Sequence, residues 1–247
     1  MEKISISKTP SALTLVDLAV PANGTCAREG AVRIERKIDA AAAEGVRRLS
    51  VVNGWSSDTV YAAAWMVVRD LVLGMSEVTL HEHDEKWPGP TVATSIHRLS
   101  PDAISRDWIA QFEHDRQLGQ PRQDTTFVED IDHIWLKRDA TISPPSFHAP
   151  NQFDGILTIG VSGDAAPSLT AAFSEAVFDR SIIESLLDAT LQVVTSFVGS
   201  PEIPIGAIDI LGKQQRALFV ALESTASSLR FASDGSLLVR STSTSEW

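Results

Sequence analysis

The sequence predicts an α+β (mixed α/β) protein in which one layer of helices packs on a mixed sheet. Three observations support this class. Apolar and polar residues alternate in short segments such as VRIERKI (32–38), which is typical of half-buried strands. Apolar residues recur every three or four positions in longer segments such as 180–199, which is typical of amphipathic helices. The two kinds of segment follow one another without repeats or an obvious linker, so we expect one mixed fold.

The first two helices are predicted in the N-terminal half. Residues 39–49 are rich in alanine and favour a helix, which Gly45 weakens in its middle. Residues 56–74 predict a buried helix, because small and apolar residues fill a wide face and either Ser56 or Ser57 can cap its start.

Two further helices are predicted between residues 100 and 138. Residues 100–119 have Ser100 as a candidate N-cap and a proline and an aspartate in the first turn. Residues 125–138 contain a capping box, in which Thr126 precedes Glu129 by three positions. We therefore predict two helices here.

The last helix has the clearest boundaries. Asp179 stands at the N-cap position, and Phe178 and Ile183 occupy the two positions of a hydrophobic staple. Gly199 and Pro201 then end the helix. Alternating segments predict strands before it, at 77–83, 91–99, 153–161 and 168–174.

The C-terminal part predicts two smaller elements. Residues 212–223 favour a short helix, and residues 228–240 predict a hairpin that turns on Asp234-Gly235. We expect this hairpin to cover a sheet edge or face that is otherwise open.

Composition limits the classes of function. The formal charge of −11 argues against binding to nucleic acid or to an anionic membrane. The single cysteine, Cys26, has no internal disulfide partner, and no motif for binding a nucleotide cofactor is present. The first ten residues do not resemble a signal peptide, and we recognise no apolar run of the roughly 20 residues that span a bilayer. We therefore expect a soluble cytoplasmic protein without a cofactor or a metal.

Four segments together resemble the C-terminal lobe of the condensation domains of nonribosomal peptide synthetases, which has the chloramphenicol-acetyltransferase-like fold. These segments are AAAWMVVRDLVLG, GPTVATSIHRLSPDAISRDW, RQDTTFVEDI and FDGILTIGVSGDAAPSLTAAFSEAVFDRSIIESLL. The resemblance covers residues 30–210. It implies a single condensation-domain-like lobe. We therefore expect one domain over residues 1–247, with a flexible polar leader at 1–12 and the hairpin as an extension at 226–247 beyond the resembled part.

The sequence also departs from that family. The family's signature of two adjacent histidines, three residues, aspartate and glycine is absent, and no His-His pair occurs in the chain. We expect the lobe that carries this signature to be missing. Ala93 lies where the family has asparagine, and Arg122-Gln123 replaces its histidine-glutamine pair. The usual condensation chemistry is therefore not implied for this chain.

Histidines on the predicted strands are the main candidates for acid–base catalysis. His97 shares a strand face with Ser95, whose small side chain leaves room for a ligand. The alternative is a half-buried histidine that bonds to a backbone carbonyl. His83 with Asp84 forms a second candidate pair at the end of the preceding strand, where the alternative is a solvated strand end. His81 and His83 are by themselves too few ligands for a metal site.

Another candidate group lies in the segment EDIDH. If this segment is helical, Glu129 and His133 share a face, with Asp132 beside them, and a carboxylate can tune an imidazole as a general base. The alternative is a solvated helix face. We further expect aromatic and loop residues to line an apolar substrate pocket, namely Trp65, Trp87, Trp108, Trp135 and His148.

Three functions remain open on the sequence. The first is a stand-alone enzyme of natural-product biosynthesis that catalyses a cofactor-free cyclisation or isomerisation, including cycloaddition, of a polyketide or peptide intermediate. The second is a non-catalytic accessory that binds a synthetase, a carrier protein or a second copy of itself. The third is an acyltransferase or hydrolase that uses one of the chain's own histidines, with a site shared in a homodimer.

Overall fold

The structure is a computed structural model that describes residues 32–73, 77–84, 92–122, 133–137, 156–163, 166–175, 177–210, 229–231 and 237–239. The chain divides into two units, 1–210 and 211–247. The first unit contains the strands β1 (Val32–Lys37), β2 (Glu77–Asp84), β3 (Val92–Arg98), β4 (Gln120–Arg122), β5 (His133–Lys137), β6 (Leu157–Ser162) and β7 (Ser168–Phe173), and the helices α1 (Ala40–Asn53), α2 (Ser57–Leu73), α3 (Ser105–Leu118) and α4 (Arg180–Gly199).

The seven strands form one mixed sheet in the order β1-β7-β6-β5-β2-β3-β4. The central strands β6, β5 and β2 are parallel, and the outer neighbours on both sides pair antiparallel. The pairing of β2 with β3 sets Leu80 opposite Ser95 and Val78 opposite His97. This confirms the predicted fold class, a mixed sheet with helices packed on it.

One hydrophobic core joins the helices to the sheet. Strands and helices contribute fully buried side chains to the same cluster, among them Leu80, Trp135, Leu157, Ile159, Leu169, Trp65, Val67, Leu187 and Val194. In β6 and β7 these residues alternate along the strand, so their shared face is the one that carries the helices. The apolar periodicity in the sequence therefore identified the buried face correctly.

The starts of α2 and α4 confirm two predicted caps. The Asp179 carboxylate accepts hydrogen bonds from the backbone N–H groups of Ser181 and Ile182, at 2.7 and 3.3 Å. The hydroxyl and backbone N–H of Ser181 and the N–H of Ile182 together lower the pKa of Asp179. At α2 the Ser56 hydroxyl accepts the N–H of Thr59 at 3.0 Å, so Ser56 is the capping serine.

The predicted start of α3 at Ser100 was wrong, because this helix begins at Ser105. Backbone hydrogen bonds tie residues 101–106 to residues 201–206. The N–H groups of Ser105 and Arg106 donate to the carbonyls of Ile203 and Pro201, both at 2.9 Å. These distant carbonyls satisfy the open N–H groups that a capping side chain would otherwise satisfy.

The helix predicted over 125–138 was wrong at its C-terminal end, where His133–Lys137 form β5 in the middle of the sheet. The run HIWLK contains alternating large residues that pack in a sheet, and its parallel neighbours on both sides fix it there. Thr126 and Glu129 of the proposed capping box lie outside the described residues.

The second unit is described only in its two short strands, β8 (Leu229–Phe231) and β9 (Leu237–Val239), which pair antiparallel. The helix predicted at 212–223 and the turn at Asp234-Gly235 lie outside the described residues. That this hairpin covers an edge or face of the lobe stays a prediction.

Among the described helices, α4 alone is long and apolar enough to span a membrane, with a mean hydropathy of 1.3. Helix length and composition are weak evidence for a membrane span. In this fold α4 packs against α1, α2 and the sheet, and its residues Leu187, Val193, Val194 and Phe197 are fully buried. These contacts are those of a core helix.

Gly45 marks a close approach of α1 to α4, which predicts an unusual effect of substitution. A Cβ at this position would lie 2.0 Å from Cγ1 of Val198. Although alanine favours a helix over glycine by about 1 kcal/mol, we expect Gly45→Ala to lower the free energy of unfolding by about 1–3 kcal/mol, because the stiff valine cannot yield freely. Urea unfolding measures this change.

Gly199→Ala is the matched control, because nothing lies within 4 Å of a Cβ at Gly199. We expect this variant to be as stable as the wild type or slightly more stable. A Gly45→Ala variant that is at least as stable as the wild type would contradict the close packing of α1 on α4.

Candidate active site

A hydrogen-bonded serine and histidine lie on β3 under helix α3. The hydroxyl of Ser95 is 2.7 Å from Nε2 of His97. The two side chains share a face because they are two positions apart on a strand. Ser95 is 8% exposed and His97 is 1% exposed, so both residues are buried and Ser95 is slightly the more exposed.

Helix α3 supplies the other neighbours of His97. The ring of Phe112 lies 4.3 Å from the imidazole, between centroids. Oδ2 of Asp115 is 3.7 Å from Nδ1 of His97, which is longer than a hydrogen bond, and Nδ1 has no hydrogen-bond partner among the described residues. Gln111 donates to Oδ1 of Asp115 at 2.7 Å and holds this carboxylate in place. Ser95, His97 and Asp115 thus form a row with a hydroxyl at one end and a carboxylate at the other.

The imidazole of His97 is held in its neutral form. Burial lowers the pKa of His97 from 6.5 to about 4; the Asp115 carboxylate opposes this shift, and the Arg116 guanidinium adds to it. In the neutral ring, Nε2 accepts from the Ser95 hydroxyl when Nδ1 carries the hydrogen toward Asp115. The row can therefore accept a proton at Nε2 and stabilise the resulting imidazolium through the nearby carboxylate.

Next to this row, Arg116 of α3 forms a buried network of charged groups. Its Nε is 3.0 Å from both carboxylate oxygens of Glu82, and its Nη2 contacts Glu82 as well as Asp58, the latter at 2.8 Å. Its Nη1 donates to the Thr59 hydroxyl at 3.0 Å, and that hydroxyl donates to Glu113 at 2.5 Å. Burial opposes the charge of Arg116, but Asp58 and Glu82 raise its pKa further above the ordinary value.

This network joins three elements and the centre of the sheet. Asp58 lies on α2, Glu82 on β2 and Arg116 on α3, and the indole N–H of Trp135 on β5 donates to Asp58 at 3.0 Å. The Arg116 side chain is only 4% exposed. Three carboxylates face this one guanidinium within the network, so the surroundings of the Ser95–His97–Asp115 row are acidic.

The second candidate pair, His83 and Asp84, lies at the end of β2. His83 is buried and pairs in register with Leu136, while Asp84 is half-buried opposite Lys137. Nδ1 of His81 lies 3.1 Å from the Thr94 hydroxyl. The described residues contain no group of three or more side chains that could hold a metal ion. The structure does not bring His83 into contact with His97.

His133 is a strand residue, so the helical face that it was predicted to share with Glu129 does not exist. The side chain is fully buried at the start of β5, where Nε2 lies 3.2 Å from Nη1 of Arg69, and Arg69 also donates to the Thr79 carbonyl at 2.8 Å. The rings of His81 and Trp65 lie 5.9 and 6.0 Å from it, between centroids. His133 thus belongs to a second buried polar group, separate from the Ser95–His97–Asp115 row.

The predicted pocket residues divide into two sets. Trp65, Trp108 and Trp135 are described and lie in the hydrophobic core, where Trp108 stacks on Phe112 at 5.2 Å. Trp87 and His148 lie outside the described residues, as does the catalytic candidate Asp132. A substrate pocket lined by these tryptophans stays a prediction.

Sequence reasoning missed Asp115 and Arg116 as partners of the strand residues. Phe112, Asp115 and Arg116 are spaced by three and four along α3, so they share a face of that helix. This spacing was visible in the sequence. Which strand the face covers depends on how α3 docks, and the sequence pattern does not contain that information.

Comparison with solved structures shows the fold. The first condensation domain of the calcium-dependent antibiotic synthetase aligns with a TM-score of 0.57 at 10% identity, over 82% of this chain and 51% of that chain. The condensation domain of the monacolin K polyketide synthase aligns with a TM-score of 0.54 at 12% identity, over 71% of this chain and 48% of that chain.

The X-domain from teicoplanin biosynthesis, solved in complex with OxyB, has a TM-score of 0.54 at 12% identity, over 74% of this chain and 49% of that chain. The chain thus spans about half the length of these structures, as expected for one condensation-domain lobe. No family model matches this chain. No curated protein matches it either. At these identities the similarity establishes the fold and leaves the reaction to be argued from the site.

The buried network predicts a large effect of removing the guanidinium. Arg116→Met keeps a long side chain but leaves the buried Glu82 and the largely buried Asp58 without their cation. We expect the free energy of unfolding to fall by about 3–5 kcal/mol, as measured by urea unfolding.

Arg98→Met is the matched control. Arg98 pairs with Glu77 at 3.0 Å on the surface, with the two side chains 86% and 51% exposed. We expect a loss below about 1 kcal/mol here. If the two variants lose equal stability, the buried network is not a main determinant of the fold.

The low pKa of His97 predicts a pH dependence of stability. The unfolded chain takes up a proton near the ordinary pKa of 6.5, and the folded chain only at about 4. The contribution of His97 to the free energy of unfolding is therefore complete above pH 6.5 and is lost as the pH falls toward 4. Relative to His97→Gln, the wild type should lose on the order of 3 kcal/mol over this range.

The comparison of the two proteins isolates His97 from other titrations. Burial raises the pKa of Asp70 to about 6, which gives an opposite slope in part of the same range. That slope is present in both proteins and cancels in their difference. Parallel stability curves for the wild type and His97→Gln, measured by denaturant unfolding at each pH, would show that His97 is not held neutral.

Proposed function

We propose that this protein is an enzyme of natural-product biosynthesis in which His97 acts as a general base in a cofactor-free cyclisation or isomerisation. The observation that carries the proposal is the hydrogen bond of 2.7 Å between Ser95 and a buried neutral His97, with Asp115 behind the ring. The similarity to condensation domains supports the setting, because those domains belong to synthetases of natural products.

The chemistry follows from the positions of the three side chains. Ser95 is the more exposed residue of the pair, so a substrate proton passes to its hydroxyl oxygen while the hydroxyl proton moves to Nε2 of His97. Asp115 stabilises the imidazolium that forms. The proton returns to another atom of the substrate, which completes an isomerisation or a ring closure without a cofactor.

A polyketide or peptide intermediate is the substrate class that this proposal names, and the cytoplasm is the compartment it expects. Among the described groups near the row, three carboxylates face one guanidinium. This acidic setting favours a substrate that is neutral or cationic near its reacting atoms.

A docking function is the second candidate. The observation that favours it is the similarity to the X-domain that was solved in complex with OxyB. In this alternative the lobe binds an enzyme or carrier protein of a synthetase, and the buried His97 serves only the packing under α3.

Metabolite profiling of the producing cell distinguishes these functions. The gene is deleted and then restored as wild type or as His97→Gln. We expect the His97→Gln strain to accumulate an uncyclised precursor or an isomer of equal mass, with product formation reduced by about 10²–10⁴-fold. His114→Gln, an exposed change on the same helix α3, should restore the product fully.

Full restoration by His97→Gln would contradict the catalytic proposal and favour docking. Since His97 is buried, the purified variant is first compared with the wild type by thermal unfolding at neutral pH. A variant that folds and is present at wild-type level in the cell ties any loss of product to the imidazole.

A further inference from the structure

We infer that Ser95 is a catalytic nucleophile, which forms an ester with the acyl group of an activated acyl donor, and that Asp115 is the positioning residue for the base. This inference rests on the proposed function in one respect, namely that His97 is the base. It adds a second activity at the same site, the cleavage of an ester or thioester.

The hydrogen bond distinguishes Ser95 from the other buried serines of the described part of the chain. A serine is activated when a base lies within about 2.6–3.2 Å and a third group orients that base. The Ser95 hydroxyl meets this distance with His97, and Asp115 faces the far side of the imidazole. Ser105, in contrast, donates to the Ile203 carbonyl at 2.7 Å.

Ser162 provides a comparison at equal burial. It is 9% exposed against 8% for Ser95. Its hydroxyl lies 3.1 Å from the Thr170 hydroxyl, which is not a base at neutral pH. The two serines are equally buried but have different hydrogen-bond partners, an imidazole for Ser95 and a hydroxyl for Ser162. A difference in their reactivity toward an electrophile therefore tests the effect of the His97 imidazole.

The neighbours of Ser95 are small. Ala93 lies on the same strand face, and Gly119 at the end of α3 has no side chain; a Cβ at Gly119 would lie in ordinary van der Waals contact with Cβ of Ser95, at 3.7 Å. Ser95 is 8% exposed and His97 is 1% exposed. Of the two hydrogen-bonded residues, Ser95 therefore retains more contact with solvent.

The reaction is balanced without a cofactor. The Ser95 oxygen attacks the carbonyl carbon while its proton moves to Nε2 of His97. The tetrahedral intermediate breaks its bond to the leaving alkoxide or thiolate, which takes that proton from His97. Water, activated by the same imidazole, then cleaves the ester on Ser95 and releases a carboxylic acid. Asp115 stabilises the imidazolium in both steps.

The charge around the site indicates the class of acyl donor. Glu82 lies opposite Ala93 in the β2–β3 pairing, two pairs beyond Leu80 opposite Ser95 and on the same face of the sheet. Glu82 and Asp58 face Arg116, and Glu113 reaches the same group through Thr59. Negative charge dominates this group, so the site suits an acyl chain that is neutral, or that carries an amine, near its carbonyl.

The test uses a fluorophosphonate probe, which forms a covalent bond with activated serines, on the full folded chain. We expect one adduct per chain, mapped to Ser95 by peptide mass spectrometry, and no adduct at this site in Ser95→Ala. Ser162→Ala, the matched control, should be labelled at the wild-type rate. His97→Gln should slow labelling by about 10²-fold or more.

Asp115→Asn tests the positioning role through the pH profile. Asparagine keeps the size of the side chain but cannot stabilise an imidazolium. We expect slower labelling, with the midpoint of its pH dependence moved to lower pH, because the carboxylate that opposes the low pKa of His97 is gone. A purely structural role would change the stability but leave this midpoint in place.

A folded wild type that stays unlabelled, or an adduct that maps to another residue, overturns the inference. Mapping on the wild-type chain needs no variant, so the test stands even if Ser95→Ala does not fold. The two proposals also fail separately. If Ser95 stays unlabelled but the His97→Gln strain loses the product, proton transfer by His97 is supported and the nucleophilic role of Ser95 is refuted. If Ser95 is labelled but the His97→Gln strain keeps the product, the nucleophilic role is supported and the proton-transfer proposal is refuted.

Discussion

The fold depends most on the contact of the Arg116 guanidinium with the carboxylates of Glu82 and Asp58. These three side chains come from α3, β2 and α2; Arg116 and Glu82 are buried, and the Asp58 side chain is only 12% exposed. A buried carboxylate without a partner is costly, so the two acids require the guanidinium at this place. Helix α3 therefore docks on β2 and β3 in one register, and any shift of about one turn would leave the acids unpaired.

This constraint also builds the candidate active site. Phe112 and Asp115 lie on the same face of α3 as Arg116, so the docking that pairs Arg116 with Glu82 also brings them to His97. A buried ion pair often contributes little net stability compared with well-packed apolar residues. Its consequence here is geometric, because it selects the one position of α3 that sets a carboxylate behind the imidazole.

The sequence predicted the parts of this arrangement that depend on local periodicity. The alternation in β3 predicted a shared face for Ser95 and His97, and the apolar stripe and Asp179 cap predicted α4. Asp115 was missed because its role arises only when α3 docks on β3. The start of α3 and the strand β5 were missed for the same reason, since distant backbone carbonyls and neighbouring strands overrode the local capping signals.

The acidic surroundings and the low pKa of His97 look inconsistent at first, since carboxylates ordinarily favour a charged imidazole. The conflict is resolved by distance and burial. Asp115 is 3.7 Å from Nδ1 and partly hydrated at 27% exposure, while the ring itself is 1% exposed, so the loss of hydration outweighs the attraction.

The neutral ring is then the resting form, and the carboxylate becomes important only when a proton arrives. When the imidazole is protonated, it can move closer to Asp115 and form a charge-assisted hydrogen bond. The neutral resting form lacks this bond. Such a group stabilises the charged step of a reaction more than the ground state, which is the physical requirement for a catalytic base.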